Sequence, residues 1–240
     1  MTRDTLRTEK EFIKYINEKK NYLIIREKEL LTQIFSRDSY RKDALRRLAD
    51  SYLDLINALY SVGNEINELR EYMIRLIELV EESWKYKSFS TYNYSDILTY
   101  ISLAYLLEIN EENFQKLVFI RDCVKSRDNI LDFIINAKLN DRKVNTRLMK
   151  WGKNKRLAKV INAKSKEEAQ KLMKEDYLRY WYFSQQALYW HDRHKRNIDI
   201  YTGYWSFEAA AITKILGLDD SSYRDNKYYP KDMIKREENE

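Results

Sequence analysis

One cysteine, one proline, four glycines and two histidines in 240 residues put several designs out of reach. The lone Cys123 closes no internal disulfide, which fits a reducing compartment. So little Gly and Pro leaves few turn residues for a strand-rich fold. No apolar run approaches the ~20 residues of a membrane helix, and the charged start MTRDTLRTEKEF lacks a signal-peptide core. The cytoplasm is therefore the expected home, away from any membrane. The sequence also has no glycine-rich phosphate loop, no Cys/His cluster and no serine nucleophile elbow. Without a catalytic constellation or a cofactor motif, the chain reads as a binder and not as an enzyme.

Hydrophobic residues make up 44% of the chain, enough for a substantial core, and 34% is charged, so the chain is neither disordered nor membranous. Apolar residues recur at three- and four-residue spacing. Thr8 can cap a first helix with the stripe Phe12, Tyr15, Ile16, Leu23, Leu30 and Ile34. A second runs from about Asp38 and ends at Gly63, and a third carries Ile66, Leu69, Met73, Leu76, Ile77 and Val80. After a polar, Tyr-rich stretch from Ser88 to Ser95, helices are expected near Ser95, Asn110 and Asp128. Ser165 to Glu168 has a capping-box pattern that opens a helix toward Arg196, where Tyr177, Tyr180, Trp181, Ser184, Leu188 and His191 share one stripe. The expected fold is all-α, a bundle-like body of two packed helical modules, residues 1–127 and 128–240.

The net charge of +6 is unevenly placed. Between Lys138 and Lys159 nine basic residues face Asp141 alone, with Trp151 among them and an expected helix break at Gly152. Such a segment could grip phosphates, which makes a helical nucleic-acid-binding protein using residues 138–159 the rival reading. A solvated face, or contact with an acidic partner, is the commoner use of a charge run.

The stretch Tyr201 to Met233 holds the most specific pattern. Read as a helix through Gly217, it sets Tyr201, Tyr204, Trp205, Glu208, Ile212 and Ile215 on one stripe, with Gly203, Ser206, Ala210 and Thr213 opposite. Glu208 sits among aromatics, where a carboxylate needs partners, so it reads as a buried anchor bonded to tyrosine hydroxyls, His191 or an arginine. Its other use, as a general acid or base, lacks a nucleophile or a second inward carboxylate. His191 and His194 could pair on a metal with Glu208 or Asp199, but they lie on different flanks, so hydrogen bonding is preferred and no metal is expected. Pro230 shapes the loop after Gly217.

The run Gly203-Tyr204-Trp205-x-Phe207-Glu208-Ala209-Ala210-Ala211, then Leu218-Asp219-Asp220-Ser221-Ser222, then Tyr228-Tyr229-Pro230-x-Asp232, closely resembles the C-terminal signature of PoNi proteins. Trp190 and His191 fit the same pattern. Leu59-Tyr60-Ser61-x-Gly63 and Ile101 to Leu107 are similar, more loosely, to the companion N-terminal module. PoNi proteins are immunity proteins against PoNe DNases, effectors of bacterial polymorphic toxin systems. The resemblance implies a cognate DNase toxin as partner, neutralised by masking its active site or its DNA-binding face, with no obligatory nucleic acid. Contact candidates are Asp219, Asp220, Asp225 and Asp232 for charge, with Tyr228, Tyr229 and Trp151 as anchors. Gly203, Tyr204, Trp205, Phe207, Glu208, His191 and Pro230 are expected to be structural.

Overall fold

The structure is a computed structural model that describes residues 2–84, 94–123, 128–140, 142–145, 147–148 and 151–234, with the backbone only for 151–154. The described residues hold helices and turns and no strand. They form two compact units that interleave along the chain. The first takes Met1–Thr91, Gln115–Ile120 and Asp192–Tyr204, and the second takes Tyr92–Phe114, Arg121–His191 and Trp205–Glu240.

In the first unit α1 (Glu9–Thr32), α2 (Asp38–Val62) and α3 (Leu69–Trp84) follow the apolar spacing, and α2 packs against both neighbours. Thr8 closes a capping box with Glu11: its hydroxyl accepts from the Glu11 N–H while its own N–H donates to the Glu11 carboxylate. Phe12, Tyr15, Ile16, Leu23 and Leu30 are buried as expected. Ile34 is not; it falls two residues beyond the end of α1 and is 95% exposed. Gly63 ends α2. A half-buried network joins the three helices. The Glu27 carboxylate takes Arg75 in a bidentate grip at 2.8 and 2.6 Å and accepts the Tyr52 hydroxyl at 3.0 Å. Burial and the adjacent carboxylate push the Tyr52 hydroxyl up to about 12.

Also in this unit, the N-terminal segment is pinned to the stretch 192–204. Arg7 donates to the Tyr201 carbonyl at 2.9 Å, Ser61 donates to the Thr202 carbonyl at 2.8 Å, and the Tyr201 hydroxyl donates to Asp4 at 2.5 Å.

The second unit holds α4 (Tyr94–Leu106), α6 (Asn129–Leu139), α7 (Trp151–Ile161), α8 (Lys166–Leu172) and α11 (Phe207–Leu216); α5 (Glu111–Cys123) gives its middle to the first unit. Asp128 caps α6, accepting from the Ile130 and Leu131 N–H groups, and also takes the buried Tyr94 hydroxyl at 2.9 Å. Ser165 caps α8 by accepting from the Glu168 N–H. The expected break at Gly152 does not occur; α7 begins at Trp151 and runs through it. Beyond α8 the regular helix fails. A π-helical turn, Met173–Leu178, leads into the short α9 (Arg179–Trp181), a 3₁₀ turn at Phe183–Gln185 and further turns up to His191. In the first unit, α10 (Arg193–Arg196) follows. The stretch Ser88 to Ser95 lies almost wholly outside the described residues.

Candidate functional site

The signature is only partly helical. Tyr201 to Ser206 is not helix, and α11 starts at Phe207. Gly203 adopts φ +115°, a backbone that a Cβ would strain and that interrupts any helix from Tyr201. Tyr201 and Tyr204 therefore serve the first unit instead of an aromatic stripe. Tyr201 bonds Asp4, and the Tyr204 hydroxyl lies 2.8 Å from His194 Nδ1. The Asp4 carboxyl is raised above its usual range, chiefly by burial, with the Tyr201 bond pulling it partly back.

In the second unit the signature builds a buried anchor. Glu208, in the first turn of α11, accepts at one oxygen from both the Tyr177 hydroxyl and the Trp181 indole N–H, each at 2.6 Å. The acceptor position at the helix N-terminus also suits a negative charge. Burial, followed by the adjacent carboxylate, drives the Tyr177 hydroxyl well above its ordinary value, so it stays a donor. The small face of α11, including Ala210 and Thr213, is buried, and the helix packs chiefly on α4. Gly217 caps α11 in the left-handed region at φ +57°, with its carbonyl accepting from Lys166 at 3.0 Å.

An aromatic stack surrounds the anchor. Trp181 lies 5.8 Å from Trp190 and 5.3 Å from Tyr228; Tyr182 stacks on Tyr228 at 5.0 Å and on His191 at 4.2 Å. The Ser206 N–H donates to the Tyr228 carbonyl at 2.8 Å, fixing the loop to the start of α11. Helical periodicity places Tyr180 on the inward stripe and passes over Tyr182 and Phe183. The signal available is number: seven aromatics between Tyr177 and Trp190 are more than one stripe can hold.

The contact candidates separate by burial. Asp219 is exposed, with its carboxylate turned back on the Ser221 N–H and hydroxyl. Asp225 is exposed and reaches Lys231 at 3.1 Å; Asp232 and Tyr228 are half-buried. Two candidates are buried instead. Asp220 is 4% exposed and receives Arg224 at 2.6 Å, so it braces the loop from inside. Tyr229 is 2% exposed and meets Tyr223 edge-on at 5.2 Å, so its ring is core. Both belong to a polar loop in the sequence, but a loop this well packed has an interior. The Trp151 side chain lies outside the described residues. Trp205, Phe207, Glu208 and Pro230 are buried.

Part of the basic segment is occupied within the second unit. Arg142 grips Asp122 at 3.0 and 3.2 Å, beside the buried Arg121–Asp132 pair at 2.8 Å, while Arg156 and Lys159 both hold Asp176 at 2.9 Å. Among the described residues no group of three or more His, Cys, Asp or Glu side chains is placed to hold a metal, and no helix is long and apolar enough to cross a membrane.

A solved structure, the crystal structure of protein PA2201 from Pseudomonas aeruginosa, is similar to this chain with a TM-score of 0.72, covering 97% of this chain and 89% of its own, at 18% identity. That likeness speaks for the fold alone. No curated protein matches. Two family models do: that of the C-terminal part of PoNe immunity proteins (PoNi) over residues 126–233, and that of their N-terminal part over residues 2–119. With both parts matched over nearly its whole length, the chain belongs to the PoNe immunity protein (PoNi) family.

Proposed function

We propose that this chain binds a cognate PoNe-type DNase toxin and neutralises it by covering the toxin's active site or DNA-binding face. The observation that carries this reading is the match of both family parts, residues 2–119 and 126–233. The protein turns nothing over; inhibition comes from occupying a surface. The packed loop supports this use, because recognition is tightest where contact residues are already ordered. Asp219, Asp225, Asp232 and Tyr228 are the proposed loop contacts, in a loop that Asp220 and Tyr229 hold from within.

The test is co-expression with a candidate cognate PoNe-type DNase toxin, scored by growth, together with nuclease assays on the purified pair. Wild-type protein should rescue growth and suppress DNA cleavage. An Asp219/Asp225/Asp232→Lys variant should rescue less well, with a defect that shrinks as salt rises. Rescue by that variant at wild-type strength removes the carboxylates from the interface, and failure of the wild-type protein removes the reading itself.

A further inference from the structure

We propose that the anchor of the toxin interface is an aromatic corner of the second unit, formed by Tyr180 and Phe183 and backed by Tyr182 and Tyr228, and that it receives an apolar knob rimmed by carboxylates on the toxin. This rests on the reading of the chain as a toxin-binding protein. Phe183 is 68% exposed, Tyr180 40% and Tyr189 58%, on a short segment where Tyr177 and Trp181 are buried and Tyr182 and Trp190 half-buried. Tyr180 and Phe183 are three apart and so share a face of the helical turn. An unbroken helix would have carried Tyr180 inward with Tyr177 and Trp181; the widened turn at Met173–Leu178 shifts the phase and leaves it outside. Such turns are uncommon and recur at functional sites.

The exposed rings stand on a rigid base. Residues on either side of them are fixed by stacking: His191 on Tyr182, Tyr182 on Tyr228, and Trp181 on Trp190. Aromatic side chains have few rotatable bonds to freeze on binding, and together with arginine they dominate interface hot spots. The surrounding charge sets the partner's chemistry. The Arg156 and Arg179 guanidiniums lie 4.9 and 5.6 Å from the Tyr180 ring centre, and the Lys227 ammonium lies 4.7 Å from that of Tyr228. Asp176 engages Arg156 and Lys159, and Glu175 is the other carboxylate of the segment, so with Arg179 the side of the rim beside Tyr180 is basic on balance. Carboxylates on the toxin complete it.

The experiment measures binding kinetics against a catalytically inactivated nuclease domain of the PoNe-type toxin that the wild-type chain neutralises in co-expression. The variants are Tyr180→Ala/Phe183→Ala and Arg179→Glu, each checked by thermal melting. Both sites are exposed, so wild-type melting is expected. The double variant should raise Kd by about 30-fold or more, mostly through faster dissociation, the scale that marks a hot spot. Arg179→Glu should slow association and flatten its salt dependence. Unchanged toxin binding by the double variant overturns the proposed face and leaves toxin binding standing. Wild-type protein that does not bind the toxin overturns both. Variants that lose only self-association, or only affinity for a single-stranded DNA oligonucleotide, overturn the proposal as well.

Discussion

Glu208 shows how a carboxylate is kept inside a mostly apolar helix. Its two donors, Tyr177 and Trp181, sit on the preceding segment at 2.6 Å each. Glu208→Ala leaves both buried donors unmatched and should destabilise the protein by about 1–3 kcal/mol. Glu208→Gln keeps an acceptor oxygen and should cost less; urea unfolding of the three proteins would rank them, and a wild-type midpoint for the alanine variant would refute the anchor. Asp4 behaves differently. Its folded-state pKa is raised, so its contribution is fully present below its ordinary value of 3.8 and is lost as pH climbs through the folded value. The stability of wild type relative to Asp4→Asn should therefore fall as pH rises above 3.8 toward neutrality. A constant difference across that range would show that Asp4 is not held away from water. Glu208 is legible from sequence because a lone acid among aromatics needs partners. The burial of Tyr229 and Asp220 is not, since nothing local distinguishes a loop that folds back on itself from one that extends into solvent.

Among the elements, those with local chemical punctuation are readable in advance. Thr8 with Glu11, Ser165 with Glu168, Asp128, Gly63 and Gly217 mark helix ends through side-chain acceptors or positive φ, and each marks an end in the structure. The π-helical turn is not, because no Pro or Gly announces it. The missing first turns of the signature helix have a cue in Gly203, but aromatic periodicity outweighs it. Gly217 offers a clean test. Its left-handed backbone penalises any Cβ by about 1–2 kcal/mol, whereas the Lys166 ammonium, 3.3 Å from where an added Cβ would sit, is the movable tip of a long side chain. Gly217→Ala should lose stability of that order in urea unfolding, and Gly217→Asn less, because asparagine tolerates this region. Equal losses for both would point to steric crowding instead.

At the scale of the whole molecule, the charge of +6 suggests a nucleic-acid surface more strongly than the structure bears out. Arg142, Arg156 and Lys159 are engaged by Asp122 and Asp176, so part of the basic segment is neutralised on the spot. Affinity for duplex DNA rises with the number of phosphates neutralised, and cations already paired release fewer counterions. The chain should bind duplex DNA no better than a non-specific protein, about 10⁻⁴–10⁻⁶ M at physiological salt. A toxin interface of ordinary size, about 800 Å² on each partner, with buried aromatic anchors supports nanomolar binding. The two readings thus differ by at least about a thousandfold in preferred partner. Fluorescence anisotropy with a labelled duplex, beside calorimetric titration with the inactivated toxin at the same salt, measures both numbers on one preparation. One equivalent of the chain should saturate the toxin and abolish cleavage by its active form. DNA affinity within tenfold of the toxin's, with a steep loss between low and high salt, would instead make residues 138–159 the working surface.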